Sequence, residues 1–212
     1  MPSIDTPVDT LILPGLNGSP QTHWQRHWAR DHADSRVVEQ HDWACPVREH
    51  WLAALERQVE MVGRDVWLVG HSLGCVLAAR FAESRLAARI RGALLVAPCD
   101  LAATEMLHPC VVKFGAMPDK RLPFPSLVVG SLNDPYMPID RLRRIAGAWG
   151  SGLVDIGAAG HINVASGFGR WTAGYDFLEV LKDRTALAET RGRPRVPGRP
   201  SEPVVKPHTP LV

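Results

Sequence analysis

The residue best placed to do chemistry in this chain is a serine set between two glycines, in Gly70-His71-Ser72-Leu73-Gly74. It follows the apolar run Val66-Trp67-Leu68-Val69 directly and opens the alanine-rich stretch Leu73 to Glu83. Strand, sharp turn and helix in that order lift a serine hydroxyl above the strand ends, where it can attack an acyl carbon. The turn is so tight that side chains two positions to either side would collide, which accounts for glycine at 70 and 74.

A serine hydroxyl is a weak nucleophile until a base takes its proton and an acid orients that base. In sites of this kind the chain order is serine, acid, histidine. The histidines after Ser72 are His108, His161 and His208. His161 closes Gly157-Ala158-Ala159-Gly160-His161, a loop past an expected strand, and is the expected base. His108 comes earlier than this order requires. The acid is expected at Asp134, in Ser131-Leu132-Asn133-Asp134-Pro135, with Asp100 and Asp155 as alternatives at other strand ends.

The oxyanion formed during acyl transfer needs two donors. One is expected from the Leu73 backbone N–H and the other from Leu16, in Pro14-Gly15-Leu16-Asn17-Gly18-Ser19. The glycines there permit close backbone approach. Asn17 is a candidate substrate contact, as are Trp24 and Tyr136, although most of the tryptophans suit a core equally well.

The elements that must position these residues are legible as alternating apolar runs and helical stripes. Strands are expected at Thr10–Leu13, Arg36–Glu39, Val66–Val69, Gly92–Val96, Leu127–Val129 and Leu153–Ile156. Helices are expected at His23–Asp31, Pro46–Met61, Leu73–Glu83, Ile139–Trp149 and Trp171–Lys182. The stripe Val47, Trp51, Leu55, Val59 repeats at four-residue spacing, as an amphipathic helix requires. This alternation predicts an α/β fold, a predominantly parallel sheet of about six strands with helices on both faces. The segment Ala97–Pro125 carries five prolines and is expected to run irregularly over one end of the sheet. It is too short for a large lid.

A chain of 212 residues suits one folded domain, here expected over residues 1–183. From Arg184 onward there are six basic residues, two acidic ones and six prolines, which leaves 18 basic and 20 acidic residues before it. That composition predicts a disordered tail over 184–212. With the body slightly acidic, no nucleic-acid face is expected. No apolar run is long enough to span a bilayer. The amino-terminal residues lack a basic and then apolar leader, so a cytoplasmic location is expected.

Cys45, Cys75, Cys99 and Cys110 form no metal-ligand spacing and are expected to be reduced, mostly packed thiols. His23, His27 and His32 lack an H-E-x-x-H pattern and read as surface or capping residues. No metal or organic cofactor is expected.

Taken together, Pro-Gly-x-x-Gly-Ser at 14–19, a Trp-containing helix, Gly-His-Ser-Leu-Gly at 70–74, Ser-Leu-Asn-Asp-Pro at 131–135 and Gly-His-Ile-Asn at 160–163 resemble the small YdeN-like serine hydrolases, the group containing retinoblastoma-binding protein nine. The resemblance covers residues 8–183. It implies a minimal α/β-hydrolase fold with little or no lid and a triad of Ser72, Asp134 and His161. The expected partner is a small acyl substrate, either an ester or the amide of an aminopeptidase-like enzyme. The alternative from another class is a non-catalytic, partner-binding protein on the same scaffold. An aspartate-dependent dehalogenase is disfavoured, because serine occupies the elbow.

Overall fold

The computed structural model describes residues 7–108 and 112–192. Six strands form one parallel sheet: β1 (Thr10–Leu13), β2 (Ser35–Val37), β3 (Val66–His71), β4 (Ile90–Val96), β5 (Ser126–Gly130) and β6 (Gly152–Asp155), in the order β2-β1-β3-β4-β5-β6. The helices are α1 (Trp24–Asp31), α2 (Arg48–Val62), α3 (Leu73–Phe81), α4 (Leu101–Leu107), α5 (Ile139–Trp149) and α6 (Ala173–Gly192).

Successive side chains of a strand point to opposite faces, and both faces here are apolar. Leu11, Leu13, Leu68, Ala93, Leu95 and Val128 pack on one face with Trp51 and Leu55 of α2, the inner side of α3, and Trp149 of α5. Ile12, Trp67, Val69, Leu94 and Val129 pack on the other with Trp24 and Trp28 of α1 and Leu178 and Leu181 of α6. Helix α3 is buried almost all round, as its alanine-rich sequence requires.

The chain leaves β1 for one edge of the sheet and leaves β3 for the other. The crevice between their carboxyl ends is therefore the topological switch point, where open parallel sheets bind ligands. The loop after β1 and the turn after β3 both open into it.

Three expectations change. Residues 101–107 form a helix between Pro98 and Pro109, because the prolines flank this stretch and do not interrupt it. Helix α6 runs to Gly192, so the boundary expected at 183 falls inside it; Thr185 is buried there and its hydroxyl donates to the Leu181 carbonyl. Cys45 is disulfide-bonded, whereas Cys75 and Cys99 are free and buried. Spacing along a chain cannot disclose a pairing made by the fold. Cys110 and the tail from 193 lie outside the described residues. No helix among the described residues is long and apolar enough to cross a membrane.

Candidate active site

Ser72 sits between β3 and α3 with φ 52° and ψ −120°, a conformation that residues with a side chain rarely adopt. The neighbouring glycines explain how the chain tolerates it. A Cβ on Gly74 would fall 2.0 Å from the Leu13 carbonyl oxygen, and one on Gly70 would fall 3.0 Å from the Cys75 nitrogen. A Cβ on Gly15 would meet the Ser72 Cβ at 2.8 Å and the Leu73 nitrogen at 3.2 Å. The loop after β1 is thus pressed against the elbow at backbone distance.

That closeness leaves the expected oxyanion donors side by side. The first N–H of a helix has no partner within the helix, which is the position of Leu73 in α3. In the facing loop the Asn17 N–H is committed to the Trp43 carbonyl at 2.7 Å and the Gly18 N–H to the Gly15 carbonyl at 3.1 Å. Leu16 N–H has no such backbone bond among the described residues.

Asp134 and His161 meet across the ends of β5 and β6. His161 Nδ1 lies 2.9 Å from Asp134 Oδ1 and 2.8 Å from Oδ2, with both side chains buried. The loops carrying them are laced together: Ala159 N–H donates to Ser131 Oγ at 2.9 Å, and Gly160 N–H to Asn133 Oδ1 at 2.7 Å. Asp134 Oδ1 also accepts the Tyr136 N–H. The alternative acids are engaged elsewhere, Asp100 with Arg141 and Asp155 with the Gly157 N–H. His108 bonds the Tyr136 hydroxyl.

The His161 loop is held in a costly shape. Ile162 has φ 47°, an outlier for a β-branched residue, and is fully buried. Its carbonyl accepts the Trp24 indole N–H at 2.9 Å, and the His161 carbonyl accepts from His71 Nε2 at 3.0 Å. Burial, reinforced by His23 and His161, pushes the His71 pKa well down, so this ring stays neutral.

Ser72, His161, Leu16, Asn17 and Tyr136 line one cavity of about 300 Å³, with the Tyr136 ring centroid 4.3 Å from that of His161. Ser72 Oγ makes no hydrogen bond to His161 among the described residues; its hydroxyl reaches the Cys99 thiol, whose pKa burial raises to about 11. Trp24 is a correction. It is wholly buried beneath the cavity and not on its wall, because the Trp24–Trp28 stripe is the inner face of α1.

Sequence reasoning missed Gln25, which is fully buried. Its amide donates to the Leu13 and Val69 carbonyls at 3.1 and 3.2 Å and accepts from Ser19 Oγ at 2.6 Å. It pins the loop after β1 to the ends of both central strands. The only signal was a polar residue beside the two buried tryptophans. His23 was expected at the surface or as a cap: it does cap α1, accepting the Gln25 N–H, but it is buried. No group of three His, Cys, Asp or Glu side chains among the described residues is placed to hold a metal.

A hydrolase class follows from this sheet, elbow and acid–histidine pair. The chain belongs to the serine hydrolase family, whose profile matches residues 10–180. Among solved structures it is similar to a protein assigned as a YdeN-like hydrolase from Pectobacterium atrosepticum, with 32% identity over 86% of this chain and 91% of that one and a TM-score of 0.71. It also resembles the ydeN gene product of Bacillus subtilis, at 20% identity, 83% and 99% coverage and a TM-score of 0.67. A thermophilic esterase from Thermogutta terrifontis shares the fold at 16% identity, 87% and 90% coverage and a TM-score of 0.56. No curated protein sequence matches the chain.

Proposed function

We propose that this protein hydrolyses small, uncharged esters through an acyl-enzyme on Ser72. The observation that carries the reading is the buried Asp134–His161 pair on the same cavity as a serine held at positive φ. Asp134 occupies Nδ1 of His161, which leaves Nε2 to take the Ser72 proton. The alkoxide oxygen attacks the acyl carbon, and the Leu73 and Leu16 N–H groups receive the oxyanion. His161 returns the proton to the departing alcohol, then activates water to release the acid. Nucleophile–base bonds of this type commonly form fully only when substrate is bound, so the lack of a Ser72–His161 hydrogen bond among the described residues agrees with the scheme.

The cavity wall supports the substrate class. No Asp, Glu, Lys or Arg among the described residues lines it. A free α-amino group would want a carboxylate there, so an ester is favoured over the substrate of an aminopeptidase. A volume of about 300 Å³ suits a short acyl group. A purely partner-binding role leaves the strained serine unexplained.

Labelling by a fluorophosphonate probe tests the nucleophile: wild type is labelled and Ser72→Ala is not. Labelling that persists in the variant overturns the assignment. Short p-nitrophenyl esters assayed beside aminoacyl amides test the substrate class, and faster turnover of the amides would reverse it.

A further inference from the structure

His23 is a cavity residue whose chemistry the scheme above leaves unused. It lines the cavity, is 3% exposed, and its Nε2 has no hydrogen-bond partner among the described residues. Its Nδ1 accepts the Gln25 N–H at 3.2 Å, so the proton of the neutral ring is on Nε2. The ring is held neutral, with its pKa lowered to about 4 by burial, reinforced by His161 and Arg26. The result is a buried N–H donor with no acceptor among the described residues, a rare condition in a packed interior. An apolar side chain would fill the same place without it.

Five other polar side chains of the wall are committed within the fold. Ser19 donates to Gln25, His71 to the His161 carbonyl, and Thr104 to the Asp100 carbonyl, while His108 and Tyr136 bond each other. We propose that His23 is a substrate-binding, specificity-determining residue whose Nε2–H receives a second, uncharged oxygen of the ester, beyond the carbonyl attacked by Ser72. The acceptor is an ether, carbonyl or hydroxyl oxygen, since a neutral imidazole in a wall without Lys or Arg gives an anion no countercharge. The inference rests on the reading of Ser72 as nucleophile.

Two pairs of isosteric esters test it. One pair varies the acyl side, p-nitrophenyl methoxyacetate against p-nitrophenyl butyrate; the other varies the alcohol side, 2-methoxyethyl acetate against butyl acetate. The readout is the kcat/KM ratio of ether to alkyl ester, compared between wild type and variant so that intrinsic reactivity cancels. His23→Asn keeps a helix cap but lacks the distal donor, and His23→Gln carries an amide N–H near the place of Nε2. In one of the two pairs the wild-type ratio should exceed that of H23N by about tenfold, with H23Q recovering much of the difference. Ratios unchanged in both pairs overturn the proposal. So does an equal loss on all four esters, which would mark a structural role or a third oxyanion donor. Fluorophosphonate labelling separates the two failures: if Ser72→Ala still labels, the nucleophile assignment fails; if labelling is lost while the ratios stay flat, only the role of His23 fails.

Discussion

The indole N–H of Trp24 donates to the carbonyl oxygen of Ile162 at 2.9 Å, joining α1 to the loop that carries His161 across 138 positions of sequence. Ile162 would not hold φ 47° unaided. Trp24→Phe keeps the apolar bulk and removes the donor. It should cost about 1–3 kcal/mol of stability, the price of one unsatisfied buried carbonyl. Ester hydrolysis should fall further than global stability explains, because the His161 backbone is released. Denaturant midpoints and kcat measured on the same preparation check this; unchanged kcat in a destabilised variant would show that Ile162 is held by other contacts.

Asp134→Asn separates charge from shape in the neighbouring loop, after β5. An asparagine can fill the space but presents an amide hydrogen to Nδ1, favouring the wrong imidazole tautomer. On the proposed mechanism kcat should drop by about 10³–10⁴. The melting temperature should move by only a few degrees, since the side chain's other bond, from the Tyr136 N–H, can be accepted by the amide oxygen. A drop of less than tenfold would argue for another acid.

Much of this site was legible because it is built from local punctuation. Gly70, Ser72 and Gly74 announce the elbow, and Asp134 and His161 each stand just past an apolar run that can only be a strand. Trp24, Gln25 and His71 act through bonds to residues 12 to 138 positions away, and no spacing encodes those. The fold was read less well where proline count stood in for proline position. Residues 101–107 contain none, and the run Arg184 to Thr190 consists largely of good helix formers before the first tail proline at 194. In both places local propensity was the better guide.

Two buried imidazoles make stability depend on pH. His23 is lowered to about 4 and His71 well below its ordinary value, in both cases chiefly by burial. A group whose folded pKa is depressed binds its proton more readily when unfolded, so stability rises with pH through the interval between the two values. For His23 the stabilising difference is present above about 6.5 and is lost as pH falls toward 4. At one pKa unit per 1.36 kcal/mol, it amounts to roughly 3 kcal/mol. Unfolding free energy should therefore decline from pH 7 to pH 4, and His23→Gln should flatten part of that slope. Equal slopes in the two proteins would show that His23 contributes nothing to the acid sensitivity.

Gln25 provides the sharpest test of how the oxyanion loop is held. Its amide nitrogen faces two strand-end carbonyls, Leu13 and Val69, while its oxygen accepts from Ser19. Gln25→Leu fills the volume but strands the Ser19 hydroxyl and removes a donor from both carbonyls. Each group left unsatisfied costs about 1–3 kcal/mol, although a carbonyl keeping its ladder bond loses less. Gln25→Glu is the harsher change despite its size. At neutral pH one carboxylate oxygen would replace the NH₂ and confront both carbonyl oxygens at about 3 Å, so repulsion takes the place of attraction. The expected order of stability is wild type, then Q25L, then Q25E, with Q25E improving relative to Q25L as pH falls and the carboxyl protonates. Loosening the loop also releases Leu16, so Q25L should lose ester turnover in kcat more than in KM. Urea titrations at pH 5 and 8 with kinetics on a short p-nitrophenyl ester measure all of this. A Q25E protein as stable as wild type at pH 8 would show that the two carbonyls do not depend on this amide.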